Sequence, residues 1–132
     1  MPVHDIILGL DINAPKSRAL VATASGEELA DIDGASFSLK ASDPSSLEAC
    51  ANHIAALVAS ALESAEQTQY RPKVLSVGVN GARRESAQIT LQQALANQEL
   101  ADEVIVTDSA ETAFLHAFGD DAAGILLAAG ST

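Results

Sequence analysis

The chain is 132 residues long, the size of one domain that buries roughly two thirds of the surface its unfolded form would expose. Apolar residues make up 48% and charged residues 19%, a balance typical of a globular protein rather than a disordered one. A net charge of −11 repels nucleic acid and anionic lipid surfaces at long range. An anionic nucleotide is not excluded, because backbone amides and bound metal ions set the field of a binding site.

Targeting signals and cysteine usage indicate a cellular compartment. No basic residue precedes the first apolar run, which ends at Asp11, so the sequence does not predict a secretory signal. The longest later apolar run, 122–129, is too short to span a bilayer. The single cysteine, Cys50, cannot form an internal disulfide, and its place in a helical apolar stripe predicts a buried thiol. We therefore expect a cytoplasmic protein whose partners are neither nucleic acid nor membrane.

Three strands are predicted at the start of the chain. Residues 4–11 and 17–24 are rich in apolar β-formers and predict two buried strands joined by a short turn. Residues 29–39 alternate weakly, which predicts a third, more exposed strand with a bend at Gly34. Their order predicts an antiparallel meander.

Helices and strands alternate in the rest of the chain. The surest helix is 42–67, because capping residues open it and its apolar residues recur at three- and four-residue spacing. The order becomes β-β-β-α-β-α-β-α-β, which predicts an α/β fold with a mixed sheet and helices packed on its faces. Further helices are predicted at 85–98 and 109–118, and further strands at 73–81, 103–108 and 123–130.

This topology predicts where functional residues meet. Right-handed crossovers bring the carboxyl ends of the first, fourth and fifth strands to one edge of the sheet, so Asp11, Gly81 and Asp108 are expected to converge there. Nothing in the sequence marks a domain boundary, so 1–132 is expected to be a single unit. Because a buried strand leads into "AAGST" at the end of the chain, we expect one lobe of a longer protein whose C-terminal lobe is absent.

Four segments resemble, in order and spacing, the BadF/BadG/BcrA/BcrD ATPase family. They are "GLDINAPKSR" from Gly9, "VLSVGVNGARRE" from Val74, "VIVTDSAETAF" from Val104 and "AAGILLAAGST" from Ala122. This family includes N-acetylglucosamine kinases and activators of 2-hydroxyacyl-CoA dehydratases, within the actin, hexokinase and Hsp70-like superfamily. The resemblance covers only the family's N-terminal lobe, and it implies a ribonuclease H-like sheet.

The resemblance also implies a site with ATP held between two lobes. Asp11 would act through Mg²⁺ by way of bound water, and Asp108 would lie near the acceptor and take its hydroxyl proton. The residues implied at the ATP phosphates are Asn13, Lys16, Ser17, Gly130, Ser131 and Thr132. Those implied beside the substrate are Asn80, Gly81, Arg83 and Asp108.

The first phosphate loop departs from the family pattern. Three glycines and a threonine of that pattern are replaced here by Ile12, Asn13, Ala14 and Pro15. Proline has no N–H to offer a phosphate, and the new side chains of residues 12, 14 and 15 add bulk, so we expect weaker phosphate binding. Lys16, Ser17 and Arg18 would compensate in part.

Each acidic candidate has an alternative structural role. Asp11 could hold a hydrated Mg²⁺ beside a transferring phosphoryl group, or it could end a strand and accept turn amides. Asp108 could be a general base, or it could be the N-cap of the helix that follows. Arg83 could meet a phosphate or remain a surface residue. His53 and His116 lack other metal ligands at suitable spacing, so no metal site is predicted at them.

Two functions from different classes remain open from the sequence. The retained Asp11 and Asp108 favour a lobe of an ATP-dependent sugar kinase or ATPase that transfers a phosphoryl group from Mg-ATP to a sugar hydroxyl, for example that of an amino sugar. The lost glycines favour a degenerate, non-catalytic module that binds a partner protein. Such a module could also form a homodimer through the face that a second lobe would otherwise cover.

Overall fold

A computed structural model describes residues 6–13, 16–24, 27–39, 43–67 and 71–118 of the chain. Within these ranges the chain forms strands and helices in the order β-β-β-α-β-α-β-α. The strands are β1 (Ile6–Ile12), β2 (Ser17–Thr23), β3 (Glu28–Gly34), β4 (Val74–Val79) and β5 (Glu103–Thr107). The helices are α1 (Pro44–Ser64), α2 (Glu85–Asn97) and α3 (Ala110–Phe118).

The strands form one mixed sheet in the order β3-β2-β1-β4-β5. β1 pairs antiparallel with β2, and β2 pairs antiparallel with β3, as the predicted meander requires. β1 also pairs parallel with β4, and β4 pairs parallel with β5. The predicted mixed sheet is therefore confirmed, and the parallel strands β1, β4 and β5 share one carboxyl edge. The predicted strand 123–130 lies outside the described residues.

The helices cover both faces of the sheet. Alternate residues of β1, from Ile6 through Leu8 and Leu10 to Ile12, join the main core with residues of α1 and α2. The opposite face receives α3, which packs on β1, β4 and β5. There Phe114 and Ala113 form a second buried cluster with Leu20 of β2. A central strand covered on both faces accounts for the apolar run that predicted it.

The third strand is shorter than predicted. β3 ends at Gly34 rather than at Leu39, and residues 35–39 have no regular secondary structure. A Cβ at Gly34 would lie only 2.7 Å from Cδ1 of Leu57 on α1, so the end of β3 and the helix approach closely here. The chain then leaves the sheet edge and crosses toward the carboxyl ends of β1 and β4. We call residues 35–39 the edge segment.

α1 begins as its sequence predicts. Asp43 adopts an extended backbone, and its Oδ1 accepts hydrogen bonds from the Ser45 amide at 2.9 Å and the Ser45 hydroxyl at 2.7 Å. This N-cap satisfies a backbone donor that the first turn would leave unpaired. The helix then runs for 21 residues. In the part of the chain that the structure describes, no helix is both long enough and apolar enough to cross a membrane.

Cys50 provides a direct test of how tightly α1 packs. Its side chain is fully buried, and this desolvation raises the pKa of the thiol to about 12. Because the thiolate is the reactive form, we expect iodoacetamide to leave Cys50 unmodified in the native protein at pH 8. The same reagent should label it completely in concentrated urea, with mass spectrometry as the measurement. Fast labelling of the native protein would mean that α1 does not pack on the sheet as described.

Candidate functional site

The three parallel strands end together, and a polar residue follows each of them. In the strand register Ile12 lies opposite Val79, and Gly78 lies opposite Thr107. Asn13, Asn80 and Asp108 come next along their chains, so they lie at the same edge of the sheet. β1 and β5 are two strand spacings apart, about 10 Å. The strand ends that carry Asp11, Gly81 and Asp108 therefore meet at one edge of the sheet, as predicted.

Asp11 lies on β1 one residue before the strand ends, on the face that α3 covers. Its carboxyl is half-buried, and this desolvation raises its pKa, while the charge of Arg18 acts in the opposite direction. Arg18 is its direct neighbour on β2 and is held by two hydrogen bonds to Asp31, at 2.9 and 3.0 Å. No described residue donates a hydrogen bond to the Asp11 carboxylate. The alternative in which Asp11 accepts turn amides involves residues 14 and 15, which lie outside the described residues, and it stays a prediction.

The burial of Asp11 has a consequence for stability. A carboxyl whose pKa is raised in the folded state costs stability when it is ionised, and this cost grows as pH rises through the folded-state pKa. We therefore expect Asp11→Asn to increase the free energy of unfolding at pH 7 by up to roughly 0.5 kcal/mol, since solvent screens a half-exposed charge. The gain should vanish below the ordinary aspartate pKa of 3.8, where both forms are neutral.

Urea denaturation at several pH values measures this effect. The matched control is Asp102→Asn at the opposite edge of the sheet, where an exposed ion pair joins Asp102 to Arg71. An exposed pair contributes little, so this variant should not show the gain at pH 7. A loss of stability in Asp11→Asn at pH 7 would contradict the prediction and would indicate that Asp11 has a structural role.

Asp108 follows β5 and is exposed. The N-cap of α3 is the next residue: the Thr112 amide donates to the Ser109 hydroxyl at 3.2 Å, and the Ala113 amide donates to the Ser109 carbonyl at 3.1 Å. Ser109, and not Asp108, is therefore the N-cap of α3. This leaves the side chain of Asp108 at the edge of the sheet with no capping role.

A side-chain hydrogen bond joins two candidate loops. The side-chain Nδ2 of Asn80 donates to Oδ1 of Asn13 at 3.1 Å. This bond links the turn after β4 to the residue that follows β1. Gly81 follows with φ +100, and a Cβ there would lie 3.3 Å from the carbonyl oxygen of Leu39. The edge segment therefore passes directly beside this turn. Arg83 is exposed in the same loop.

The residues around the β1–β2 connection have different surroundings. Lys16 is exposed and pairs with Asp33 at 3.1 Å. Ser17 is fully buried, so its hydroxyl points into the fold rather than to solvent. Ile12 is also buried, with 1% of its surface exposed in the main core. The expectation that Ile12 adds bulk at a phosphate site is therefore wrong. Side chains alternate between the two faces of a strand, so Ile12 points into the main core, on the opposite face of the sheet from Asp11.

The structure adds two residues that sequence reasoning did not select. The Ser17 hydroxyl and Nε2 of His53 are hydrogen-bonded at 3.2 Å, and the Asn13 amide donates to the same hydroxyl at 3.4 Å. The His53 ring stacks on the Phe37 ring, with centroids 5.1 Å apart. The Phe37 amide donates to the Asn13 carbonyl at 3.0 Å. No local pattern marks the contacts of His53 and Phe37, because they join residues 16 to 36 positions apart.

Some predicted site residues are not covered. Gly130, Ser131 and Thr132 lie outside the described residues. The roles given to Asp11, Asn13, Lys16 and Ser17 at the nucleotide stay predictions. So do the roles given to Asn80, Gly81, Arg83 and Asp108 at the substrate.

Comparison with solved structures identifies the fold. A candidate N-acetylglucosamine kinase from Chromobacterium violaceum superposes on 80% of this chain with a TM-score of 0.58 and 14% sequence identity. A ROK hexokinase from Thermus thermophilus superposes on 84% with a TM-score of 0.54 and 17% identity. The match covers 35% and 36% of those two proteins, so this chain spans about a third of the length of each.

The superposition confirms the predicted resemblance at the level of the fold, which this chain shares with these two proteins. A comparison with models of known protein families gives no match, and a comparison with the sequences of curated proteins gives none either. The narrower likeness to the BadF/BadG/BcrA/BcrD family stays a prediction.

Proposed function

We propose that this chain is the N-terminal lobe of an ATP-dependent sugar kinase or ATPase of the cytoplasm, with residues 1–132 forming one unit of a two-lobed protein. The reaction is phosphoryl transfer from Mg-ATP to a sugar hydroxyl, with an amino sugar as the first candidate acceptor. The two proteins that share the fold are described as sugar kinases, which supports the reaction class. ATP and Mg²⁺ are part of the proposal.

The observation that carries the proposal is the environment of Asp11. A half-buried carboxylate at the end of the central strand, with a raised pKa and no hydrogen-bond donor among the described residues, is costly to keep ionised. A hydrated divalent cation would offset that cost, and carboxylate oxygen is a ligand that Mg²⁺ prefers. When bound, Mg²⁺ neutralises charge on the transferring phosphoryl group.

The other side chains at this edge have complementary roles in the proposal. Asn13 and Lys16 lie on the connection that follows Asp11 and would contact the phosphates, and an exposed lysine is suited to an anion. Asp108, which is not used as a helix cap, would accept the proton of the acceptor hydroxyl. Asn80, Gly81 and Arg83 would border the acceptor. The second lobe would close over this edge and exclude water.

Calorimetric titration of Mg-ATP into this chain tests the proposal. A single lobe supplies part of the contacts, so we expect a dissociation constant between about 10 μM and 1 mM. Asp11→Asn should weaken binding at least roughly ten-fold, and EDTA should do the same to the wild-type chain, because both remove the metal link. Asp102→Asn is the matched control, since it makes the same change at the opposite edge of the sheet, and it should bind like wild type.

Two results would count against a nucleotide site. Binding that is equally strong in Asp11→Asn and wild type would remove Asp11 from the site. No heat of binding up to about 10 mM Mg-ATP would favour the second candidate, a non-catalytic module that binds a partner protein or forms a homodimer. The replacement of the family's three glycines and threonine by Ile12, Asn13, Ala14 and Pro15 is the observation that favours this second candidate.

A further inference from the structure

We infer that His53 is a positioning residue that holds Asn13, at the start of the connection between β1 and β2, in place, acting through Ser17 rather than by touching a ligand. The inference deepens the proposed function and rests on it in one respect, namely that this connection meets phosphate. Its structural basis is a set of contacts that run from α1 to the end of β1.

The first step is the hydrogen bond between His53 and Ser17. Ser17 is fully buried, and its hydroxyl is shared by Nε2 of His53 at 3.2 Å and the Asn13 amide at 3.4 Å. A buried hydroxyl that loses a partner costs free energy, so the pair restrains the position of β2 relative to α1. Because the same hydroxyl accepts from Asn13, the restraint reaches the residue that follows β1.

The second step is the contact between His53 and the edge segment. The His53 ring stacks on Phe37 with an interplanar angle of 24°. The Phe37 amide in turn donates to the Asn13 carbonyl at 3.0 Å. Asn13 is therefore held through its amide by Ser17 and through its carbonyl by Phe37, and His53 contacts both of these residues. The His53 imidazole thus contacts both residues that hydrogen-bond to the backbone of Asn13.

The third step concerns what a phosphate-binding connection requires. A glycine-rich loop binds phosphate with backbone amides that its own tight turn holds in place. Here the sequence carries Asn13, Ala14 and Pro15 instead, and the described contacts that hold the backbone of Asn13 come from Ser17 and Phe37. The Asn13–Asn80 hydrogen bond transmits the same support to the turn after β4. His53 therefore takes over a positioning task that glycines perform in the family pattern.

Two substitutions of His53 separate its contacts. His53→Phe keeps an aromatic ring against Phe37 but loses the nitrogen bonded to Ser17. His53→Gln loses the ring but places an amide, both donor and acceptor, at about the same distance from the backbone as Nε2. Asn52→Phe is the matched control, because Asn52 is the exposed residue just before His53 on the same helix.

The first measurement is hydrogen exchange of backbone amides by NMR in this chain, which needs no ligand. We expect His53→Phe to speed exchange of the Asn13 amide roughly ten-fold, the factor given by loss of about 1.4 kcal/mol. His53→Gln should stay within about three-fold of wild type, and Asn52→Phe should show no change. Unchanged exchange at Asn13 in His53→Phe would overturn the inference. So would equal acceleration in His53→Gln and His53→Phe, since the hydrogen bond would then not be the cause.

If His53→Phe does not fold, His53→Leu decides the question. This variant also loses the nitrogen bonded to Ser17 and leaves the Ser17 hydroxyl in place, and it should produce the same acceleration at Asn13. Normal exchange at Asn13 in His53→Leu would overturn the inference.

The second measurement is titration of Mg-ATP into the same variants. His53→Phe should raise the dissociation constant by about the same factor as the exchange rate, and His53→Gln should restore it. Disturbed exchange with unchanged affinity would overturn the inferred positioning of a phosphate site. If the wild-type chain binds no Mg-ATP, the proposed function fails, and the exchange measurement alone then decides whether His53 positions the connection.

Discussion

Replacing Phe114 with alanine is expected to lower the free energy of unfolding by about 3–5 kcal/mol, the largest effect of a single substitution in the described core. Phe114 is 1% exposed and has the largest fully buried side chain in the described part of the protein. On the face of the sheet that α3 covers, its ring belongs to a buried cluster with Leu20 of β2. A domain of this size has only about 5–15 kcal/mol of stability to lose.

The effect should be local in origin, because α3 is the one described helix on its face of the sheet. The Ser76 hydroxyl of β4 also contacts this helix, since it donates to the Ala113 carbonyl at 2.7 Å. Losing the Phe114 ring removes the largest fully buried side chain described on α3. The residues before α3, Asp108 and Ser109, would lose their fixed position at the sheet edge as a result.

Urea denaturation followed by circular dichroism measures the change. Ile89→Ala is a suitable control, since Ile89 on α2 is 48% exposed and should cost well under 1 kcal/mol. A cost below about 1 kcal/mol for Phe114→Ala would show that α3 does not pack on the sheet as described.

Local patterns predicted the fold because the core follows them closely. Leu8, Leu10 and Ile12 alternate along β1, and the same alternation decides that Ile12 faces the core. Continuing the alternation one residue past Asp11 would have placed Ile12 correctly from the sequence. The crossover rule then fixed which strand ends meet at one edge.

The errors and omissions come from contacts between residues that are distant in sequence. β3 was predicted to continue past Gly34, but it ends where Leu57 of α1 approaches it, and nothing within residues 29–39 signals this approach. The bond between Ser17 and His53 joins residues 36 positions apart. A single histidine in a helix carries no signal of such a partner.

The capping of α3 shows a different limit. Aspartate and serine are both strong N-caps, so the sequence "TDSAE" from Thr107 permits either residue to start the helix. Only geometry separates them, and it selects Ser109. The local chemistry of a short motif can therefore leave a catalytic and a structural reading equally open until the backbone positions are known.

The second large expected effect concerns Asp108, which has no capping role because Ser109 caps α3. If the chain works as the proposed sugar-kinase lobe, Asp108→Asn in the two-lobed protein is expected to lower kcat for sugar phosphorylation by about 10²–10⁴-fold, the usual contribution of a general base. Asparagine keeps the size of the side chain but cannot accept the hydroxyl proton. Because Asp108 is exposed and does not cap α3, stability should change by less than about 0.5 kcal/mol. Mg-ATP affinity should stay within about two-fold, because the proposed base acts on the acceptor.

Ser109→Ala provides the contrasting variant, since it should cost about 1 kcal/mol of stability through loss of the N-cap. Its kcat should fall far less than that of Asp108→Asn. Steady-state kinetics with N-acetylglucosamine and glucose as acceptors, together with urea denaturation, gives all of these values.

Full activity in Asp108→Asn would remove Asp108 from the chemistry. Equal losses of activity in the two variants would mean that the start of α3, rather than the carboxylate, is what the reaction needs. A loss of kcat confined to Asp108→Asn is the result that separates a base from a cap.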